Sequence, residues 1–554
     1  MPSSVARDAT GDRATLAGVR DRLLARLTVD RVFLAALAGV WAWLYLRGLG
    51  DPPVRTWDES RYVVPARNMV EGGSWLDPRL QVNSHSTDLG PGIRLRKPPL
   101  LYWLQAVSMT AVGVTEFAAR LPTALATLGC AALVFHLGRR TADRRAALAG
   151  ALAFLAFPGM LAGTHGGTAA VPDTALALFG SLFVWLTWRG RDEPRLLVPA
   201  GICAGLAVMT KGVAAGVFVV VVAPVVLASA RSYSHRWTAA AVASTVLVAL
   251  PWHCYAYLTY GREFVRQYFL VSLGARMSGE LTDPPAEPVF GFMNYPYFRS
   301  VIDVLAPPYP YALPVFAVGL VCGLALVARR VSRDGSRAHR AELFLCWWVA
   351  AVPLTFAVAG GNQPWYLLPM YLPGAVLLGL VPPAAADALA GRARRGRGPT
   401  GWAGGASSGR PDGGPNDRID GEPHRSAWRP RARTAAYPLA CLALVALLVT
   451  AAGPPIVEPY DHEQRALGTE IRDEVPADAT VAVWIDDPDD TRALMALSFY
   501  ADRRLVRASP TTVASDRSIR YAIVPLGRQE RLDRDHRVLA VGPKNDVTVL
   551  AFGE

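Results

Sequence analysis

Two acids and a run of cations share one stretch of the chain, residues 56–103. It opens with Trp57-Asp58-Glu59-Ser60-Arg61-Tyr62 and closes with Arg94-Leu95-Arg96-Lys97-Pro98-Pro99, just before Leu100-Leu101-Tyr102-Trp103. A carboxylate in an apolar setting is costly, and taking a proton from a hydroxyl or amine is one reason to keep it there. The alternative for Asp58 and Glu59 is a solvated pair capping a short helix, with Arg61 as partner. Arg94, Arg96 and Lys97 are of the type that grips phosphate through charge-assisted hydrogen bonds. The alternative is a basic patch on anionic lipid headgroups. Pro98-Pro99 would stiffen the approach to Lys97.

Further along, Asp173 follows Val171-Pro172 and is the one acid between Asp143 and Asp192, so it is a candidate second carboxylate or simply a helix N-cap. Lys211, between Thr210 and Gly212, ends an apolar run and is either a second phosphate cation or a snorkelling lysine. Trp365 and Tyr366, in Gln363-Pro364-Trp365-Tyr366-Leu367-Leu368-Pro369, could bind substrate or belong to an interfacial aromatic belt. His253, after Pro251-Trp252, and His165 read equally as substrate contacts or as hydrogen-bonded structural histidines. No metal-ligand spacing stands out.

These residues must be positioned by a largely apolar chain. Of 554 residues 52% are hydrophobic and the mean hydropathy is +0.23, with apolar blocks of about 15–22 residues, long enough to cross a bilayer as helices. The net charge of +12 comes from Arg clusters between those blocks, a topology signal rather than a nucleic-acid groove. The six cysteines show no paired spacing, so neither a zinc site nor a disulfide framework is expected. Polar residues 1–30 precede the first span, 32–46, which is expected to stay as an anchor with the N-terminus cytoplasmic. A loop over 48–115 follows, with a short amphipathic helix at Arg61–Glu71 ended by Gly72-Gly73. Later spans are expected near 117–138, 146–163, 174–188, 196–209, 213–230, 239–257, 309–328, 343–359 and 366–381, with a long loop at 258–308. In this scheme the basic clusters of the short loops fall on one side, and Asp58, Lys97, Asp173, Lys211 and Gln363 on the other.

A Gly/Pro/Arg-rich stretch at 386–434 reads as a flexible cytoplasmic linker, followed by a last span at 437–452. Beyond it, strands are expected at Thr480–Ile485, Ile519–Val524, Arg537–Val541 and Val547–Phe552, with a helix at Asp490–Ala501. This small α/β domain lacks a Gly-rich phosphate loop and suits a supporting or acceptor-guiding role.

The motifs Asp58-Glu59-Ser60-Arg61-Tyr62, Lys97-Pro98-Pro99 with Tyr102-Trp103, Ala118-Ala119-Arg120-Leu121-Pro122, Pro172-Asp173, Thr210-Lys211-Gly212 and Pro364–Pro369 occur in this order. Over about residues 30–385 they resemble the GT-C glycosyltransferases, in particular the lipid A aminoarabinose transferases and the related protein O-mannosyltransferase-like proteins. The resemblance implies a polytopic α-helical membrane protein of about eleven spans (range about 9–13) with a small C-terminal α/β extracytoplasmic domain. Its parts would be a transferase domain at 1–385, the linker at 386–434, the last helix at 435–455 and the small domain at 456–554. The implied reaction moves a sugar from a polyprenyl-phosphate carrier to an extracytoplasmic glycolipid, wall glycan or protein, with inversion, in a bacterial-type plasma membrane. Asp58, Asp173 and Glu59 would be the catalytic acids. Lys97, Arg61, Lys211, Arg94 and Arg96 would hold the carrier phosphate, and Tyr62, Tyr102, Trp365, Tyr366 and His253 would bind substrate. No cofactor is called for, and dependence on a divalent cation is left open. The alternative function is a non-catalytic lipid-carrier flippase or transporter, although no internal repeat is visible. The linker departs from a compact GT-C pattern.

Overall fold

The computed structural model describes residues 30–56, 58–80, 93–274, 312–357, 363–395, 446, 459–484, 496–542 and 547–553. Most of the expected linker and last span, most of the 258–308 loop and the start of the 490–501 helix lie outside these residues; residues 386–395, expected as linker, instead continue the helix Val381–Arg395.

Helix forms wherever Ala, Leu and Val run on without a side chain that needs water. Four helical runs among the described residues are long and apolar enough to cross a membrane: Glu116–Thr141, Pro194–Ala228, His235–Tyr260 and Trp365–Ala388. Local signals set their limits. Thr115 caps the first by accepting from the Ala118 N–H at 3.1 Å, and Arg139 and Arg140 sit in its last turn, where cations complement the helix dipole. In the His235–Tyr260 helix only Trp252 and Ala256 are buried, while Val242, Val246, Leu247, Leu250 and Leu258 are exposed. An apolar sheath of that extent belongs in hydrocarbon rather than water. The chain is a multi-pass membrane protein.

Between lipid-embedded helices close backbone approach replaces the hydrophobic effect as the source of cohesion. Gly201 and Gly205 lie four apart on the Leu197–Lys211 helix, where a Cβ on Gly201 would collide with the backbone of Ala241 and one on Gly205 would meet Val248 at 2.7 Å. Thr245 on the facing helix donates its hydroxyl to the Gly201 carbonyl at 3.0 Å. Elsewhere the core is filled by Tyr45, Phe154, Phe218 and Trp348.

Outside the spans, the amphipathic helix appears as Ser60–Gly72, closed by Gly73 at φ 70°. Its buried face carries Tyr62, Val63, Ala66 and Met69. The expected loop over 48–115 holds a second helix, Leu100–Val112. At about 1.5 Å per residue it is too short to span a core of roughly 30 Å. It packs Leu101, Tyr102, Ala106 and Met109 under the first helix instead.

The C-terminal domain is a five-stranded sheet in the order β2-β1-β3-β5-β4, from β1 (Thr480–Trp484), β2 (Arg504–Ala508), β3 (Tyr521–Pro525), β4 (His536–Val541) and β5 (Val547–Phe552). β1 runs parallel to β2 and β3, and β5 antiparallel to β3 and β4. β2 and the helices Pro459–Glu474 and Pro510–Ser515 were not expected from the sequence. β2 is a short edge strand carrying Arg504 and Arg507, and Pro459–Glu474 is highly charged with only a narrow buried stripe at Leu467 and Ile471, so neither has a strong apolar pattern.

The domain is tied to the membrane-proximal part through buried groups. Arg67 donates to the carbonyls of Ser498 (2.9 Å) and Phe499 (2.6 Å) and pairs with Asp502 and Glu71. Tyr500 accepts from the Val54 N–H at 2.6 Å and donates to Glu116 at 3.1 Å. Gly201→Val should lower thermal stability in detergent by about 1–3 kcal/mol through overpacking. Gly216→Ala, where an added Cβ meets nothing within 4 Å, serves as the neutral control.

Candidate active site

The site is built on a buried ion pair. Glu59 and Arg120 are 1% and 2% exposed. The guanidinium grips the carboxylate at both oxygens, Nε to Oε1 at 2.9 Å and Nη2 to Oε2 at 2.8 Å. Arg120 spends its other donors on the carbonyls of Leu49, Pro52 and Pro53. Glu59 also accepts from the backbone N–H of Arg55 at 2.9 Å and of Ala170 at 2.8 Å. The strap before the amphipathic helix, the Glu116–Thr141 helix and the loop before Asp173 thus meet at one carboxylate. Burial works against that charge, but Arg120 and Arg55 outweigh it and bring the carboxyl down to about 2. This corrects the reading of Glu59 as a catalytic acid: its oxygens are committed to structural partners.

Asp58, one residue earlier, points elsewhere. Its Oδ2 lies 3.1 Å from His165 Nε2, and His165 Nδ1 lies 2.9 Å from Asp173 Oδ2. Lys211 Nζ contacts the other oxygen of Asp173. The result is a line in which carboxylates and nitrogen bases alternate, Asp58–His165–Asp173–Lys211. Its last three side chains are sealed, while that of Asp58 is 35% exposed. Burial disfavours charge on Asp58, but the bond and charge of His165, with Arg61, hold its carboxyl below the ordinary carboxylate value.

Beside Asp58 lies the cation group. Burial and the neighbouring Arg94 and Arg96 guanidiniums push Arg61 down to about 9, against the opposite pull of Asp58. A guanidinium depressed in this way by its cationic neighbours marks a place an anion would relieve. Arg94 Nε is buried without a hydrogen-bond acceptor among the described residues. Lys97 is buried at the turn leading into Pro98-Pro99. Lys211 is separated from the cation group's role by its pairing with Asp173.

The aromatic candidates divide. Trp365 lies flat on His165, ring centroids 3.9 Å apart and planes within 4°, and Lys211 Nζ sits 5.0 Å over the Tyr366 ring. Tyr62 and Tyr102 stack on each other in the core under the amphipathic helix, 5.6 Å apart, which corrects their reading as open substrate contacts. His253 bonds the Ala249 carbonyl at 2.7 Å and the Tyr268 hydroxyl at 2.8 Å. It forms the wall of an apolar recess of about 390 Å³ with Leu250, Leu258, Phe264 and Phe269. A polar cleft of about 500 Å³, lined by Asn68, Glu71, Asp77, Arg79 and Arg504, opens where the amphipathic helix meets the C-terminal domain. No group of three His, Cys, Asp or Glu able to hold a metal occurs among the described residues.

Sequence reasoning undervalued two residues. Arg120 stood only within a motif, and the partner 61 positions away has no local signature. His165 stood as an ambiguous lone histidine, although its setting in Gly163-Thr164-His165-Gly166-Gly167 signals a tight turn.

Residues 96–255 match the family model described as dolichyl-phosphate-mannose-protein mannosyltransferase. The undecaprenyl phosphate-alpha-4-amino-4-deoxy-L-arabinose arabinosyl transferase 2 of Proteus mirabilis is 29% identical over 58% of this chain, and the chain spans 54% of that relative, about half its length. The Edwardsiella ictaluri arabinosyl transferase is 28% identical with the same coverage. Among solved structures, ArnT from Cupriavidus metallidurans bound to undecaprenyl phosphate aligns over 94% of this chain and 97% of its own, with a TM-score of 0.62 at 16% identity. The apo oligosaccharyltransferase of Archaeoglobus fulgidus aligns over 90% and 70%, with a TM-score of 0.50 at 14% identity. The fold is the GT-C membrane fold that the sequence motifs imply. Within that class the likeness is to the aminoarabinose transferases, as the sequence motifs imply.

Glu59→Gln removes one charge of a buried pair and should cost roughly 3–5 kcal/mol. Glu59 is depressed in the folded state, so its contribution is complete above the ordinary carboxylate value of 4.5 and is lost as pH falls toward about 2. Thermal unfolding of wild type and variant between these limits should converge at the acid end.

Proposed function

We propose that this protein is an integral-membrane glycosyltransferase that moves a sugar from a polyprenyl-phosphate carrier to an extracytoplasmic acceptor. The observation that carries the reading is the placement of Asp58. It is the exposed carboxylate of an otherwise sealed charge line, and it lies beside the cation group of Arg61, Arg94 and Arg96. The likeness to undecaprenyl phosphate-dependent arabinosyl transferases and the undecaprenyl phosphate in the ArnT structure support the choice of carrier. The N-terminus is assigned to the cytoplasm, and the site and C-terminal domain to the outer face.

The acceptor oxygen attacks the anomeric carbon as the bond to the carrier phosphate breaks, inverting the centre. The carrier leaves as a phosphate anion toward the arginine group and Lys97, where its charge is neutralised. The acceptor proton passes to Asp58. A carboxylate of low pKa does this late in bond formation, when the attacking oxygen has become acidic. Asp173, fixed by His165 and Lys211, acts behind Asp58, with Trp365 and Tyr366 closing the site. The apolar recess beside His253 suits the carrier chain. The polar cleft at Arg504 suits the acceptor, which gives the C-terminal domain a guiding role.

Transfer from labelled polyprenyl-phospho-sugars in membranes tests the reading. Asp58→Asn should lower transfer by about 10²–10⁴-fold, the range for loss of a general base. Full activity in both Asp58→Asn and Lys97→Ala at normal expression would reject the site. Transfer missing from the wild type across a range of sugars would favour a transporter. Arg504→Ala should raise the acceptor KM on the order of tenfold, as for one lost charge-assisted contact, with the donor KM unchanged.

A further inference from the structure

His165 has no step of its own in the reaction above, yet it is held with more care than any other residue of the site. Its loop is pinned by close approach: a Cβ on Gly166 would meet the Gly159 and Met160 carbonyl oxygens at 2.5 and 2.6 Å, and one on Gly167 would strike Thr127 and Tyr45. The Gly167 N–H donates to the Met160 carbonyl at 2.8 Å, and the Thr168 hydroxyl to that of Leu161 at 3.0 Å. Trp365 fixes the plane of the ring.

Resting on the glycosyltransferase reading, we propose that His165 is a positioning residue that, as an imidazolium, clamps Asp58 Oδ2 and leaves Oδ1 to receive the acceptor proton. Each ring nitrogen faces a carboxylate oxygen, and only the doubly protonated ring donates at both. The flat Trp365 face favours the cation as well. The groups around the ring agree: Asp58 from the strap and Asp173 from the Asp173–Arg189 helix face it directly. Lys211 lies beyond Asp173, and Arg61 beyond Asp58. Burial alone would depress the imidazole, but the two carboxylates outweigh it and raise it above its ordinary value of 6.5. When the pH passes that raised value, the remaining proton stays on Nδ1 against Asp173. The Nε2 lone pair then faces Asp58, and the clamp opens. The clamp is therefore intact below the raised imidazole value and lost above it.

The test compares the pH dependence of kcat in wild type, His165→Asn and His165→Gln. The glutamine amide keeps a neutral donor toward Asp58, and the asparagine amide one toward Asp173. Wild-type kcat should fall on an alkaline limb above pH 6.5. Both variants should lose that limb and about 10²-fold in kcat, as for a group displaced by roughly 1 Å. The donor KM should stay unchanged, and glutamine should retain more activity than asparagine. An unaltered limb or unaltered kcat in His165→Gln overturns the proposal. If the variants do not fold, NMR of labelled histidine in the wild type decides: the His165 ring, identified by the loss of its ring-current shift in Trp365→Leu, must titrate above 6.5 and move toward acid in Asp58→Asn. A ring that titrates at or below the ordinary value, or ignores Asp58, overturns the clamp. A wild type that transfers nothing defeats the functional reading itself, whereas transfer with an unchanged limb defeats only the role of His165.

Discussion

The Glu59–Arg120 pair is the constraint on which the half of the molecule that carries the site depends. Two opposite charges taken out of water are tolerated only when their geometry and remaining hydrogen bonds are nearly complete. Here they are. Arg120 reaches three carbonyls of the strap, and Glu59 reaches two backbone N–H groups, one of them in the loop that presents His165. Asp58 is the covalent neighbour of that anchored carboxylate, so its backbone is fixed by an interaction in which its own side chain takes no part.

From that anchor the electrostatics divide in two. On one side Asp58, His165, Asp173 and Lys211 alternate carboxylate with nitrogen base, so each polar group is met by its neighbour behind a protein wall. On the other side Arg61 is held beside Arg94 and Arg96 at a cost to its own charge. The first arrangement is closed and the second asks for an anion. Asp58 belongs to both, so an anion bound to the cations would lie next to its carboxylate.

Much of this was legible in the chain. The amphipathic helix was readable from its spacing and its Gly72-Gly73 stop, and the positive φ of Gly73 is what that stop encodes. Asp58, Asp173 and Lys211 were readable as polar residues at the ends of apolar runs, and the structure brings these three into one line. Glu59 was misread because adjacent acids look alike in sequence, while burial and a distant arginine assign them opposite work. Tyr62 and Tyr102 were misread for a related reason: an aromatic ring near a membrane surface looks the same whether it faces a ligand or a neighbouring helix. The Leu100–Val112 helix was missed because a stretch too short to cross was taken as loop. β2 escaped because its arginines mask a strand whose burial depends on partners elsewhere in the domain.

Arg67 has a consequence for how this protein can change over generations. Its buried guanidinium is completed by two carbonyls and an acid of the C-terminal domain, and Tyr500 of that domain holds the strap at Val54, four residues before Asp58. Exchange of the domain for a foreign one would leave an orphaned cation in the amphipathic helix and a slack strap beside Asp58. The two parts are therefore inherited as one mechanical piece. Side chains at the cleft rim can change without breaking these ties, whereas a shuffled domain breaks them all.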